Sequence, residues 1–314
     1  MQAPILTVTL NPALDMATEV PEIIPGHKLR CTDPHLDPGG GGLNVSRAIK
    51  ALGGDSLALV AIGGLTGDRL AGLIRAEGVT FLSILGPGET RQSLTVTEGT
   101  SGKQYRFMLP GPVWGAAERA RVLILLSATA RPGGYSVISG SQPPGVPDDF
   151  PAQLVASMEG SRVVLDTSGA ALRAAVTSPI ARLEVLRMDA EEGEELAGRA
   201  LHTLADTADF ASELVAQGVA RRVIMARGAE GNVLAEAGQR LFSPAPRVPV
   251  KSTVGAGDSF VAAFVLSLAR GQDTAQALTM ASAAAAAAVM TDATRLCRAE
   301  DVMRLMPEAT AREI

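Results

Sequence analysis

Short apolar runs alternate with stretches of helical spacing along most of the chain. Residues 5–10, Ile-Leu-Thr-Val-Thr-Leu, read as a strand, 43–52 as a helix, 56–62 as a strand and 68–77 as a helix again. Further apolar runs at 135–138, 162–165, 183–186 and 222–225 are separated by helical patterns such as 150–159, 192–201 and 209–217. Near-continuous apolar strands between amphipathic helices are the mark of an α/β fold, a mainly parallel sheet sandwiched by helices. Two stretches break the rhythm. Residues 18–36 are rich in proline and charge, and 91–109 alternate as a strand pair, 93–97 and 104–108, around Glu98-Gly99-Thr100-Ser101-Gly102-Lys103. That turn composition predicts a hairpin. The expectation is one domain over residues 1–314, with a small inserted β lid built from segments at about 12–36 and 89–112; the alternative is a surface meander without function. No internal repeat and no long linker is visible.

Composition narrows the class. The 314 residues could hold two domains of about 150 each, so the single-domain reading rests on the missing linker. At 46% hydrophobic and 3% aromatic, the core must be aliphatic and alanine-rich, and a disordered chain is excluded. Two cysteines, Cys31 and Cys297, exclude a disulfide scaffold and suit a reducing, cytoplasmic setting. A net charge of −5 gives no basic footprint for nucleic acid. The N-terminal segment lacks the features of a targeting peptide. The uncharged run 274–291, with six consecutive alanines, reads as a buried helix, so no membrane partner is expected. His27, His35 and His202 show no zinc-type spacing with the cysteines.

The chemistry concentrates in two glycine-bearing segments. Thr253-Val254-Gly255-Ala256-Gly257-Asp258-Ser259-Phe260 leads into an apolar helix expected over 261–269. Small residues there let backbone N–H groups converge on an anion at a helix N-terminus. Asp258 is placed either to accept a proton from a nucleophile or merely to cap the helix. Pro38-Gly39-Gly40-Gly41-Gly42-Leu43-Asn44-Val45 also precedes a helix. Its glycines suit close approach of the backbone to a ligand or serve as a hinge, and Asn44 either bonds a sugar hydroxyl or satisfies the turn. The P-loop, the dinucleotide-binding fingerprint after the first strand and the nucleophile elbow are all missing from the sequence. Lys28, Arg30, Arg91 and Arg106 lie in or beside the two inserted stretches, where clustered arginines would suit a phosphate.

From end to end the chain resembles the ribokinase-like, PfkB-type carbohydrate kinases. The resemblance rests on Leu10-Asn11-Pro12-Ala13-Leu14-Asp15, Lys28 to Thr32, Pro38 to Arg47, Thr90-Arg91-Gln92, Gln104 to Phe107, Ile138 to Ser141 with Pro143-Pro144-Gly145, Ser252 to Ser259, and Thr294 to Cys297. Gly41 stands where one phosphosugar-kinase branch carries lysine, as in the 6-phosphofructokinase branch.

The resemblance implies ATP-dependent phosphorylation of the C1 hydroxyl of fructose 6-phosphate, with tagatose 6-phosphate and fructose 1-phosphate as rival substrates. It implies Asp258 as general base and an anion hole at Gly255, Ala256 and Gly257. Asp15, Gly40, Gly41 and Asn44 would line the sugar, and Lys28, Arg30, Arg91 and Ser139 would face its 6-phosphate. Arg187, Asp189, Gly228, Gly231 and Thr253 would serve the nucleotide, and Glu192 would organise Mg2+ through water. A K+ site is implied near Ser252, Val254, Ala288, Thr291, Ala293 and Arg295, and a homodimer through the lid. Three departures touch the nucleotide half. Arg187-Met188-Asp189 replaces the usual Lys-Pro-Asn, Ala226 replaces a serine, and Thr291-Asp292-Ala293-Thr294 replaces Asn-Gln-Gly-Thr. They leave room for a reading of another class, a non-catalytic phosphosugar sensor.

Overall fold

The computed structural model describes residues 1–292 and 294–314. In chain order the first half runs β1 (Ile5–Thr9), β2 (Ala13–Val20), β3 (His35–Gly39), α1 (Gly41–Ala51), β4 (Leu57–Ile62), α2 (Gly64–Ala76), β5 (Phe81–Leu85), β6 (Arg91–Glu98), β7 (Gln104–Met108), α3 (Ala116–Thr129), β8 (Tyr135–Ser139) and α4 (Phe150–Ser157). The second half runs β9 (Arg162–Asp166), α5 (Gly169–Thr177), β10 (Leu183–Met188), α6 (Ala190–Ala197), α7 (Leu204–Ala216), β11 (Arg222–Ala226), β12 (Gly231–Glu236), β13 (Gln239–Pro244), α8 (Ala256–Ala269), α9 (Thr274–Val289), α10 (Ala299–Leu305) and β14 (Arg312–Glu313).

The large sheet has the order β14-β13-β12-β11-β10-β9-β8-β1-β4-β5. From β5 to β11 every pairing is parallel, and β12, β13 and β14 extend the sheet antiparallel. Both faces are covered, which is why these strands are apolar throughout. Along β9, Val164 joins the core beneath α1, α8, α9 and α10, whereas Val163 and Leu165 join the core beneath α3, α4, α5 and α7. The alanine run is α9, buried along nearly its whole length against α8. None of the described helices is long and apolar enough to cross a membrane.

A second sheet, β3-β2-β6-β7, is built from the two stretches that broke the rhythm. β6 and β7 form the expected hairpin, and β2 joins β6 in parallel and β3 antiparallel. β3 runs on to Gly39, beyond the expected boundary near 36, so the inserted sheet leads directly into α1.

Several helix starts differ from the sequence expectation for local reasons. α2 begins at Gly64 because the distant Glu89 carboxylate accepts from the Leu65 and Thr66 N–H groups. α7 begins at Leu204 behind a reciprocal Thr203–Asp206 capping box. α8 begins at Ala256, so Asp258 lies in the first helical turn and not in the loop before it.

The α8–α9 seam predicts its own sensitivity. Ala284 is fully buried there, so Ala284→Leu is expected to lower unfolding free energy by about 1–3 kcal/mol through overpacking, measured by chemical denaturation.

Candidate active site

The C-terminal ends of β1, β8, β9 and β10 open toward the N-termini of α1 and α8, the usual ligand crevice of an open α/β sheet. α1 is drawn in against the strand ends by its glycines. A Cβ at Gly41 would stand 2.4 Å from Ser139 Oγ and 2.7 Å from the Gly140 nitrogen, and Gly40 is held at φ 119°. Such contacts leave no room for a side chain, so the cluster is a packing device and not a hinge.

Across the strand ends the register sets three side chains in one row. Ser139 pairs with Asp166, and Asp166 with Arg187. Ser139 Oγ donates to Asp166 Oδ2 at 3.0 Å, and Arg187 Nη1 meets Asp166 Oδ1 at 3.2 Å. Burial works against the Arg187 charge, but Asp166, Glu192 and Asp189 outweigh it and hold the guanidinium above its usual range. The same guanidinium lies 3.3 Å from where a Cβ at Gly257 would stand, directly against the first turn of α8. Asp166 belongs to the site although no sequence motif marked it.

α8 starts from Gly255, held at φ 75°, and its first-turn N–H groups lack intrahelical carbonyls. Asp258 does not cap this helix. Its Oδ2 accepts from Asn44 Nδ2 at 2.9 Å. Protein encloses the carboxylate on most sides although an edge still meets solvent. Burial and the negative charge of Asp166 push its pKa up to about 7, against the opposing pull of Asn44, Arg187 and Arg47. Asn44, expected to face a sugar hydroxyl or the turn, spends one of its two amide N–H donors on the candidate base.

On the inserted sheet, register sets Asp15 beside Asp37 and Ser93. Burial pushes the Asp15 carboxyl up to about 6, with Arg91 and Arg47 holding it back. Arg91 donates from Nε to the Asn11 carbonyl at 3.1 Å and from Nη1 to the Leu109 carbonyl at 3.3 Å. Lys28 and Arg30 project from the exposed segment between β2 and β3, and no hydrogen bond joins them to Arg91 among the described residues.

The nucleotide-side residues fall on neighbouring strand ends. Asp189 is the N-cap of α6: its Oδ1 accepts from the Glu192 N–H at 2.9 Å, and Glu192 Oε2 accepts from the Asp189 N–H at 2.8 Å. Aspartate in place of asparagine thus exchanges one good N-cap for another. Burial raises the Glu192 pKa, the Asp189 N–H opposes that, and Asp189 and Asp166 add to it. Gly228 and Gly231 flank the turn between β11 and β12 at φ 56° and 136°, and Thr253 is exposed just before α8.

The segments implied for K+ do meet. Thr291 Oγ1 lies 2.8 Å from the Ala288 carbonyl and 2.7 Å from the Arg295 carbonyl, and the Ser252 N–H faces the Val289 carbonyl at 3.3 Å. Val254 follows in the same loop, its N–H donating to Ser252 Oγ at 3.2 Å. Ala293 lies outside the described residues.

Among the described residues, the buried polar side-chain atoms that lack a partner include Thr9 Oγ1, Asn11 Oδ1, Gln142 Oε1 and Arg187 Nε. These sit at the ends of β1, β8 and β10. Each would cost about 1–3 kcal/mol if it stayed unpaired, so their gathering here marks a crevice built for a polar ligand.

Comparison with known proteins agrees with this geometry. A family model described as pfkB family carbohydrate kinase matches residues 10–301. The chain is 39% identical to the ATP-dependent 6-phosphofructokinase isozyme 2 of Escherichia coli strain K12, over 96% of this chain and 97% of that one. Among solved structures it is similar to phosphofructokinase-2 from Escherichia coli in complex with potassium, at TM-score 0.92 and 37% identity over 97% of this chain and 98% of the other. The same enzyme in complex with fructose-6-phosphate superposes at TM-score 0.91 and 36% identity, covering 98% and 99% of the two chains. The architecture is the ribokinase-like one that the family resemblance implied, on the α/β plan that the alternation of strands and helices led us to expect. With the family model matched over most of its length and a relative 39% identical across 96% of it, the chain belongs to the pfkB family of carbohydrate kinases.

Proposed function

We propose that this kinase transfers the γ-phosphoryl group of ATP to the C1 hydroxyl of fructose 6-phosphate. The observation that carries the reading is the placement of Asp258 in the first turn of α8, with the Arg187 cation against that turn. Asp258, with its pKa near neutrality, takes the hydroxyl proton. The C1 oxygen bonds to the γ-phosphorus as the bond to the β–γ bridging oxygen breaks and ADP leaves. The amides of Gly255, Ala256 and Gly257 and the Arg187 guanidinium neutralise the transferring group. Asp15, Gly40, Gly41 and Asn44 line the sugar, and Arg91, Ser139, Lys28 and Arg30 serve its 6-phosphate. Arg91 keeps donors for that task beyond the two given to backbone carbonyls. Gly228, Gly231, Thr253 and Asp189 line the nucleotide side.

The residues also fit two cations. No three His, Cys or carboxylate side chains among the described residues converge into a direct metal cage. That suits Mg2+, which keeps several waters and binds through phosphates and one or two carboxylates. Glu192, whose pKa burial and neighbouring carboxylates raise, is the side chain to hold those waters. When bound, the ion would screen the nucleotide phosphates. For K+, the Ala288 and Arg295 carbonyls and the Thr291 hydroxyl offer an all-oxygen set. The Ala288 carbonyl also accepts from the Thr291 N–H at 3.0 Å and keeps a lone pair for a cation.

The inserted sheet acts as the lid and as a homodimer surface. Its outer strand β7 is exposed throughout, with Phe107 at 53% and Met108 at 54%. An open strand edge carrying large apolar side chains is suited to a second copy.

Four outcomes are expected. In a coupled assay with ATP, fructose 6-phosphate should give a higher kcat/KM than tagatose 6-phosphate or fructose 1-phosphate; if it ranks last, the substrate assignment fails. Asp258→Asn should lower kcat by about 10²-fold or more. Because the ionised form is the base, wild-type kcat/KM should fall as pH drops below the Asp258 pKa of about 7, and that limb should be absent from the residual activity of the variant. Phe107→Asp should shift the sedimentation coefficient from dimer to monomer.

A further inference from the structure

We propose that Arg47 is a positioning residue for phosphoryl transfer, fixing the face of the Asn44 amide and through it the orientation of the Asp258 carboxylate. The inference rests on the assignment of Asp258 as base. Arg47 lies one helical turn beyond Asn44 on α1, with its side chain only 9% exposed. All of its N–H donors are committed to protein. Nε and Nη2 form a fork on the Glu77 carboxylate at 2.7 and 2.8 Å. Nη1 donates to the Pro38 carbonyl at 2.9 Å and to Asn44 Oδ1 at 3.0 Å. Nη2 also faces Asp37 Oδ1 at 3.5 Å.

Nothing on this guanidinium is left over for a ligand, so its place near the crevice has another purpose. A guanidinium only donates. Asn44 must therefore turn its carbonyl oxygen toward Arg47, which leaves the amide nitrogen as the group that meets Asp258 at 2.9 Å. With the amide reversed, an oxygen would face the carboxylate and repel it. Arg47 thus decides which end of Asn44 the base meets.

The clamp also reaches the inserted sheet. Pro38 and Asp37 belong to β3, and Asp37 accepts from the hydroxyl of Thr294 as well. Glu77 follows the last turn of α2. One side chain therefore ties the sheet, two helices and the base into a single network. Lysine, with three donors on a single nitrogen, cannot span these partners.

The charged groups facing Asp258 are Asp166 from β9, Arg187 from β10 and Arg47 itself, with Asn44 as the polar neighbour from α1. Losing Arg47 removes one attractive charge and releases the Asn44 donor. Both changes favour the protonated carboxyl.

The test compares Arg47→Met, Arg47→Lys and Glu77→Gln in the full chain with ATP and fructose 6-phosphate, with thermal unfolding as the check on folding. Arg47→Met should lower kcat by about tenfold or more while the KM for ATP stays within about threefold. The acid limb of its kcat/KM–pH profile should move up by about half a pH unit or more. Arg47→Lys should move the limb in the same direction. Glu77→Gln, which keeps the Arg47–Asn44 bond, should leave the limb in place. A folded Arg47→Met enzyme with an unmoved limb overturns the proposal, whether or not kcat falls. If that variant does not fold, an unmoved limb in Arg47→Lys overturns it equally. An inactive wild type would instead overturn the sugar-kinase reading, and an unaltered kcat in Asp258→Asn the assignment of the base.

Discussion

The close approach of α1 to the ends of β1 and β8 governs the rest of the site. At Gly41 the backbone lies against Ser139 and Gly140, and at Gly42 against the Val8 carbonyl, at separations that any Cβ would violate. This contact sets where Asn44 emerges from the helix, and therefore which carboxylate on α8 it can reach. The four glycines cost backbone entropy in the unfolded chain. In return they bring two helix starts and the ends of parallel strands within hydrogen-bonding range of one another.

That proximity has an electrostatic consequence. Asp258 is kept among partially buried charges where burial and Asp166 raise its pKa while Asn44, Arg187 and Arg47 lower it. The balance sits near neutrality because burial and Asp166 win, while Asn44 and the two arginines hold back part of the rise. A carboxylate solvated in the ordinary way would be too weak a base, and one buried without Asn44 and the two arginines would stay protonated.

The fold was legible in the sequence because apolar strands and amphipathic helices alternate, and the hairpin at 93–108 announced itself by period and turn composition. Less was legible where a partner lies far along the chain. The start of α2 depends on Glu89, and the antiparallel strands β12 and β13 follow one another through a tight turn with no helix between them to mark the rhythm. In the site, motif spacing led to Asp258 and Asn44. Asp166 and Arg47 were invisible, since an aspartate after an apolar run and an arginine on a helix look like ordinary surface residues until register and packing assign their partners. Asp189 and Glu192 show the opposite case. Their spacing is that of a capping box as well as that of an acidic nucleotide-side motif, and the capping box is what displaced the predicted start of α6 to Ala190.

The row Ser139–Asp166–Arg187 has a consequence for how such an enzyme can change. Its members come from three strands whose pairing is fixed by both buried faces of the sheet, and a slip of one residue would turn each side chain to the opposite layer. The row can be re-lettered but not re-spaced. Exchange of lysine for arginine at position 187 is tolerable, whereas an insertion within β8, β9 or β10 is not. Variation along this row is therefore confined to substitution, and changes of length are left to the loops that follow the strands.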